Sequence, residues 1–392
     1  MIKKEKLKFL FVITVIIIIF NFYYFVREQS LNQYADWLIN YQGGFVRRGL
    51  IGEIFYQIHS LFFIRLDILI FLSVSLFYIF FYKNLLTIIR NLNFNFINLL
   101  IIFSPISFIY PIMEEKASGR KDIIFLFFLS FLVLNIKKIN FNNQKYLIIL
   151  FSAISVFSHT GFIFLLPAFL IIFLFSNKNK NPKILLKEIL IILLSYLIFF
   201  LIIINNKIIS PENINLICNS ISDYVRNDCA KTGYISTLSW SLKYNLYLKE
   251  NLWMTESYNF FYLIAFVLSF FPLLFTLHYS KFLNYKKISV LFFFTLFFLS
   301  SIPLYYLGVD YGRYMHLTYL STVIIYSVAI KNKILITSFP KNFNLINLKM
   351  KFPIILLIIF LYGFTFTIPH CCNNNFKFNY SNLIMKINEQ LN

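Results

Sequence analysis

At 392 residues, with 59% hydrophobic and 13% charged residues, the chain is too apolar for a soluble globular domain and reads as a polytopic membrane protein. Its formal net charge of +20 excludes little by itself. The lysines punctuate apolar runs instead of covering one solvated face, which is the positive-inside pattern and not that of a nucleic-acid binder.

Taken in order, the chain opens on basic residues and an apolar run, Met1 to Phe20, followed by the bulky Asn21-Phe22-Tyr23-Tyr24. No small-residue cleavage site follows, so this stretch is expected to stay as the first span. A membrane helix takes about 20 apolar residues. On that basis spans are expected near 7–26, 61–82, 94–113, 122–136, 146–158, 162–176, 184–204, 259–277, 288–307, 315–330 and 352–369. The 146–176 stretch is too long for one helix and is interrupted by Ser158-His159-Thr160-Gly161, so it is read as two short helices.

The charges support that division. With the N-terminus in the cytoplasm, the inner segments hold 21 of the 36 basic residues, in groups such as Lys137, Lys138 and Lys145, or Lys178, Lys180, Lys183 and Lys187. Only Glu5 and Glu188 of the 16 acidic residues join them. Lys/Arg bias in short loops sets orientation. The expected fold is therefore all-α: a single polytopic domain over 1–392 with about eleven transmembrane helices, N-terminus cytoplasmic, C-terminus periplasmic and a long outer loop at 205–258.

The unusual stretches then fall on the outer side. Asn40 to Glu53 carries Gly43, Gly44, Gly49 and Gly52 around the adjacent Arg47 and Arg48. Glycines permit positive φ and close approach of backbone to a ligand, and arginine forks match phosphate oxygens in pairs. A Gly turn followed by an amphipathic interfacial helix is the plainer reading of the same residues. Further outer motifs are Gly119-Arg120-Lys121-Asp122, the His159 turn, and Asp310-Tyr311-Gly312-Arg313 followed by His316. Asp36, His159 and Asp310 are candidate proton acceptors. Arg47, Arg48, Arg120, Lys121 and Arg313 are candidate diphosphate ligands. Gly43, Gly44, Gly49, Gly119 and Gly312 would shape the loops that carry them. The plainer readings are Asp122 as a helix cap, His159 as a hydrogen-bonded turn residue, and Asp310 with Arg313 as a local ion pair.

All four cysteines also lie outside. Cys218 and Cys229 are spaced for a local disulfide, with a bridge to the Cys371-Cys372 tail as the competing connectivity. No metal-ligand spacing is present, and no metal or cofactor is expected. Thr237 to Leu252, with Trp240, reads as an amphipathic helix lying on the membrane, and Trp253 follows it; the loop could equally cover a substrate.

The Gly43–Gly49 stretch, Gly119–Asp122, Ser158-His159 and Asp310–Arg313, on about eleven spans with one long outer loop, resemble bacterial repeat-unit polymerases of the Wzy type, which build O-antigen and capsule. The resemblance implies transfer of a growing glycan from undecaprenyl diphosphate to the next lipid-linked repeat, on the periplasmic face of the inner membrane. It implies a metal-independent glycosyltransferase in which Arg47, Arg48, Arg120 and Arg313 grip diphosphate and His159 or Asp310 is the base. Its partners would be the undecaprenyl-diphosphate-linked glycans, membrane lipids, and chain-length regulator and flippase proteins. One departure is that the long loop holds Arg226 but no histidine. The alternatives are another lipid-linked sugar transferase or O-antigen ligase, for which Asp36 in the first outer loop would serve, and a lipid-linked oligosaccharide flippase. Charges at the outer edge of the spans and the lack of an internal repeat favour an enzyme over a transporter.

Overall fold

The computed structural model describes residues 4–90, 92, 95–205, 209–250, 256–283, 289–338, 352–371 and 377–378. The expected inner-side Lys3, Lys286, Lys287, Lys341, Lys349 and Lys351, together with Trp253 and Cys372, lie outside the described residues. The described chain is mostly helical. In order the helices are α1 (Lys4–Arg27), α2 (Leu50–Phe62), α3 (Leu66–Ile89), α4 (Phe96–Ile102), α5 (Tyr110–Met113), α6 (Asp122–Asn135), α7 (Phe141–Ser158) and α8 (Pro167–Ser176). They continue as α9 (Pro182–Asn205), α10 (Pro211–Ser220), α11 (Gly233–Ser236), α12 (Leu242–Leu248), α13 (Glu256–His278), α14 (Val290–Leu307), α15 (Tyr311–Lys331) and α16 (Phe352–Phe364). Two antiparallel ribbons complete the set, Ser280–Phe282 with Leu335–Thr337 and Phe366–Thr367 with Lys377–Phe378.

Among the described residues, five helices are long and apolar enough to cross a membrane: Leu7–Arg27, Leu66–Ile89, Pro182–Asn205, Tyr258–His278 and Val290–Leu307. Their outward faces are greasy. Leu186, Leu190, Leu194, Leu197 and Leu201 on α9 are 49% to 58% exposed. Such a stripe is stable only against lipid or another apolar surface. This is a helical membrane protein.

Several expected spans take other forms. The 94–113 stretch is not one helix: α4 stops at Ile102, and a buried turn precedes the short α5. Pro105 and Pro111 explain the break, since proline removes an amide donor and pushes its predecessor out of helical geometry. The helix in the 122–136 region has 14 residues, or roughly 21 Å of rise at about 1.5 Å per residue, which is less than the hydrocarbon thickness. The 352–369 stretch ends as a helix at Phe364. The 146–176 stretch does divide at the expected turn: α7 ends at Ser158, residues Thr160–Leu165 form a 3-10 helix, and α8 starts at Pro167.

The chain assorts into two compact units. One, the arginine unit, comprises Val15–Ile88 and Ser118–Leu246; the other, the tail unit, comprises Met1–Thr14, Ile89–Ala117 and Tyr247–Asn392. In the arginine unit, a buried polar link joins the far ends of α6, α7 and α8. Asn177 donates to Gln144 at 2.6 Å, and Gln144 donates to the carbonyls of Ile136 and Ile139. Each buried polar group thereby finds a partner, as it must away from water. The tail unit is built around α15. Residues 315–329 of this helix are buried, and Ser321, Thr322 and Ser327 turn their hydroxyls back to carbonyls four residues earlier.

The described part of the 205–258 loop is structured. It holds α10, α11, a 3-10 turn at Thr237–Ser239 and α12. The Thr237–Leu252 helix expected from the sequence begins only at Leu242. Trp240 is extended, and Ser241 accepts from the Tyr244 amide through its hydroxyl. Cys218 and Cys229 form a disulfide with Cα atoms 6.1 Å apart, which excludes the tail connectivity. In the chain-entropy picture a loop this short is worth about 3 kcal/mol. Cys218→Ser with Cys229→Ser is expected to raise cleavage within 210–240 by a soluble protease at least tenfold. Equal cleavage in the two proteins would show that packing alone holds the loop.

Candidate functional site

The loop between α1 and α2 is seated in the arginine unit through Trp37, whose indole donates to the Gly119 carbonyl at 2.6 Å. This contact seats two sequence-distant motifs side by side. Gly119 has φ +73°, and a Cβ there would overlap the Phe22 ring. Only glycine fits, because the left-handed region penalises other residues and the ring leaves no volume. Gly44 also has positive φ, +94°. Gly43 and Gly49 do not. They are needed for close approach, Gly43 against the Asn213 carbonyl of α10 and Gly49 against the Tyr41 ring.

The residue that takes the strained conformation in the loop is Arg48, at φ +76°. A non-glycine residue there costs on the order of 1 kcal/mol and persists only where its surroundings hold it. The hold is visible. Lys121 donates its ammonium to the Arg48 carbonyl at 2.8 Å. The same ammonium lies 3.6 Å from Asp36 Oδ1, and the two side chains are 0% and 1% exposed. Arg47 donates to the Thr237 carbonyl at 3.1 Å. Arg120, 2% exposed, donates to the Asn32 carbonyl at 3.1 Å. The guanidinium carbons of Arg120 and Arg48 lie 4.4 and 5.8 Å from the centroid of one ring, Tyr234.

Arg47, Arg48, Arg120 and Lys121 thus gather in one cluster, in which Lys121 faces the Asp36 carboxylate. Glu53, the acid in the first turn of α2, accepts from the Tyr41 amide at 2.7 Å and from Gln57. Three guanidinium nitrogens, Nε of Arg47 and Nε and Nη1 of Arg48, are buried without an acceptor, as is Asp36 Oδ1 without a donor. Burial, and then the neighbouring Arg48, draw Arg47 down to about 10, so it stays charged at neutral pH. Burial draws Lys121 down to about 8 against an ordinary 10.5, with Asp36 opposing and Arg48 adding to the shift.

The sign of the Lys121 shift gives a pH signature. Between pH 8 and 10.5 the unfolded chain binds the extra proton, so stability rises with pH across that window and is lost as pH falls through 8. Over the same window the folded lysine discharges and its hold on an anion weakens. We expect the unfolding midpoint to climb from pH 7.5 to 9.5 while pyrophosphate affinity falls, with both slopes flattened in Lys121→Met. Two slopes of the same sign would contradict the assignment.

His159 closes α7, and its ring nitrogen Nδ1 accepts from the Gly161 amide at 3.3 Å while the ring stacks on Phe162. This matches its plainer reading as a turn residue. Two residues earlier, Phe157 meets Phe45 edge-on, so the arginine loop leans on that end of α7. Asp122 is the first residue of α6 and lies at the N-terminus, but the capping position is Lys121. Arg226 pairs with Asp228 at 3.6 Å in the open.

The tail unit carries the other expected motif. Asp310 and Arg313 form a buried ion pair one turn apart at the start of α15. Gly312 sits where a Cβ would meet the Pro369 carbonyl and the Tyr110 hydroxyl. Tyr258 and Tyr262 donate to the Val309 and Pro369 carbonyls, tying the 308–310 turn and the tail strand to α13. The ring nitrogen Nδ1 of His316 is 2.8 Å from the Ile106 carbonyl, so it bears the proton, and the ring stacks on Tyr110 at 4.9 Å. Glu114 and His370 pair at 3.2 Å. Asp310, His370 and Cys371 place donor atoms within 4.8 Å of one another. Cys371 is disulfide-bonded and Asp310 is held by Arg313, so the set lacks the thiolate and the open carboxylate that a metal centre would use.

The residues expected from the sequence therefore divide. Asp36, Arg47, Arg48, Arg120 and Lys121 meet in one cluster, with His159 packed in the same unit. Asp310 and Arg313 belong to a separate cluster with His316. Sequence reasoning missed Tyr234. The available signal was Gly233, at φ +78° and lodged against the Leu31 carbonyl, which marks a loop forced close to the site.

No protein-family model matches the chain, nor does any curated protein or solved structure.

Proposed function

We propose that the protein is a glycosyltransferase that takes a glycan from an undecaprenyl-diphosphate carrier and polymerises repeat units into O-antigen or capsular polysaccharide. The reading places it in the bacterial inner membrane with its active face toward the periplasm. One observation carries the proposal: Arg47, Arg48, Arg120 and Lys121 share one cluster with Asp36, and three guanidinium nitrogens of Arg47 and Arg48 are buried without an acceptor. Buried positive charge in excess is unfavourable until an anion joins it. A diphosphate supplies that anion, and its negative charge grows as it leaves. In the transfer, the bond between the sugar C1 and the diphosphate oxygen breaks and its electron pair stays with the carrier. The acceptor hydroxyl oxygen bonds to C1, and its proton passes to a base. Asp36 is the candidate base inside the cluster. His159, in the same unit, is a further candidate base, and Asp310 is the candidate within the separate cluster of the tail unit. Undecaprenyl-diphosphate-linked glycans and membrane lipids would be its partners, with chain-length regulator and flippase proteins as further candidates.

A second reading is favoured by the burial of Asp36 beside Lys121. A lipid-linked sugar transferase adding a single residue, or an O-antigen ligase, would use an acid in the first outer loop with the same cations. Deleting the gene and resolving the surface polysaccharide on a gel separates these. Lipid A–core bearing one repeat, with the ladder lost, supports the polymerase. Lipid-linked chains accumulating outside point to the ligase, and units trapped inside point to a flippase. An unchanged ladder would overturn the proposal.

A further inference from the structure

The anion-site reading leaves open how two arginines from distant segments are kept together. Arg48 comes from the first outer loop and Arg120 from the turn before α6. Their guanidinium carbons share the ring of Tyr234, at 5.8 and 4.4 Å from its centroid. Like charges this close repel, and a ring face offers a negative quadrupole to each. Tyr234 is itself placed by backbone. Its amide donates to the Leu31 carbonyl at 3.0 Å, and a Cβ on the preceding Gly233 would meet that carbonyl. Three residues on, the Thr237 carbonyl takes the Arg47 guanidinium. The segment from Gly233 to Thr237 thus contacts three of the four cations, and it does so without bringing a charge of its own.

We infer that Tyr234, carried by the long outer loop, is the positioning residue of the anion site. Its ring holds Arg48 and Arg120 together so that the Nε and Nη1 donors of Arg48 remain for a diphosphate. This rests on the anion-site part of the proposed function. A carboxylate in the same place would also gather the arginines, but it would occupy their donors; an aromatic ring orders them and leaves the hydrogen bonds to the ligand. The loop's role is then to complete the phosphate site, with the ligand class a diphosphate borne on a lipid.

The test uses the full chain in nanodiscs of neutral lipid, titrated with inorganic pyrophosphate. Binding is read from the tryptophan emission of Trp37, bonded to Gly119 beside Arg120, and Trp240, bonded to Thr237. Tyr234→Ala is expected to weaken binding about tenfold, or about 1.4 kcal/mol, and Tyr234→Phe, which keeps the ring, to stay within about twofold of wild type. Without ligand, phenylglyoxal should modify Arg48 and Arg120 several-fold faster in Tyr234→Ala than in Tyr234→Phe. This measurement holds even if the alanine variant is less stable, provided its disulfide loop stays protease-resistant. Equal affinity in Tyr234→Ala and wild type would overturn the inference, as would a phenylalanine variant as weak as alanine. Undecaprenyl diphosphate in the discs should displace pyrophosphate. If it does not while the ring dependence holds, the carrier-lipid reading fails and the positioning role stands. If wild type binds no pyrophosphate, both fall.

Discussion

Arg48→Ala is expected to abolish glycan transfer, lowering the rate at least 100-fold with protein levels unchanged. The size follows from removing a preorganised donor from a place where charge develops, which costs about 10²–10³ in rate. Arg48 is the sharpest choice because two of its donors are buried without an acceptor and its backbone sits at φ +76°. Those two facts separate function from stability. Arg48→Gly removes the same guanidinium but accepts positive φ without strain, so it should unfold no earlier than wild type and gain on the order of 1 kcal/mol over Arg48→Ala. The Lys121 bond to the Arg48 carbonyl is backbone and survives both changes. Arg48→Lys keeps the charge but loses the fork, and should retain only a small part of the activity. The check is a repeat-unit ladder from the native host for each variant, alongside thermal unfolding of the purified chain. A full ladder from Arg48→Gly would remove Arg48 from the chemistry.

The pair Asp36–Lys121 carries the largest effect expected on stability. Both side chains are buried and 3.6 Å apart. Removing one partner of a buried pair leaves an uncompensated charge, at about 3–5 kcal/mol, whereas replacing both with apolar residues of similar volume is often neutral. Asp36→Leu alone should therefore lower the unfolding midpoint sharply, and Asp36→Leu with Lys121→Met should restore it. Activity distinguishes the two roles of Asp36. If the carboxylate is the base, the double variant regains stability but makes no glycan. If it only neutralises Lys121, the double variant regains both, and the base must be sought at His159 or Asp310. Failure of the double variant to recover stability would show that Asp36 Oδ1 or the Lys121–Arg48 bond matters to the fold beyond the pair.

Composition and run length were enough to assign a helical membrane protein, because a bilayer imposes its thickness and its demand for internal hydrogen bonds directly on sequence. The division at Ser158–Gly161 and the Cys218–Cys229 bridge were legible for the same local reason: a broken apolar run and a short cysteine spacing need no knowledge of distant contacts. The broken 94–113 stretch was legible too, in Pro105 and Pro111, but hydropathy outweighed it. What only the tertiary structure decided was which polar residues share a site. Gly119-Arg120-Lys121 meets the first loop because Trp37 reaches the Gly119 carbonyl and Phe22 leaves room only for glycine. Asp310 and Arg313, so similar in sequence pattern, form a separate cluster. The roles of the glycines were likewise hidden: Gly43 and Gly49 allow neighbours in, while the positive φ falls on Gly44 and on Arg48. Tyr234 carries no mark of its own among 26 tyrosines. Its part is set by a through-space contact to residues more than a hundred positions away, and no periodicity or spacing encodes such a contact.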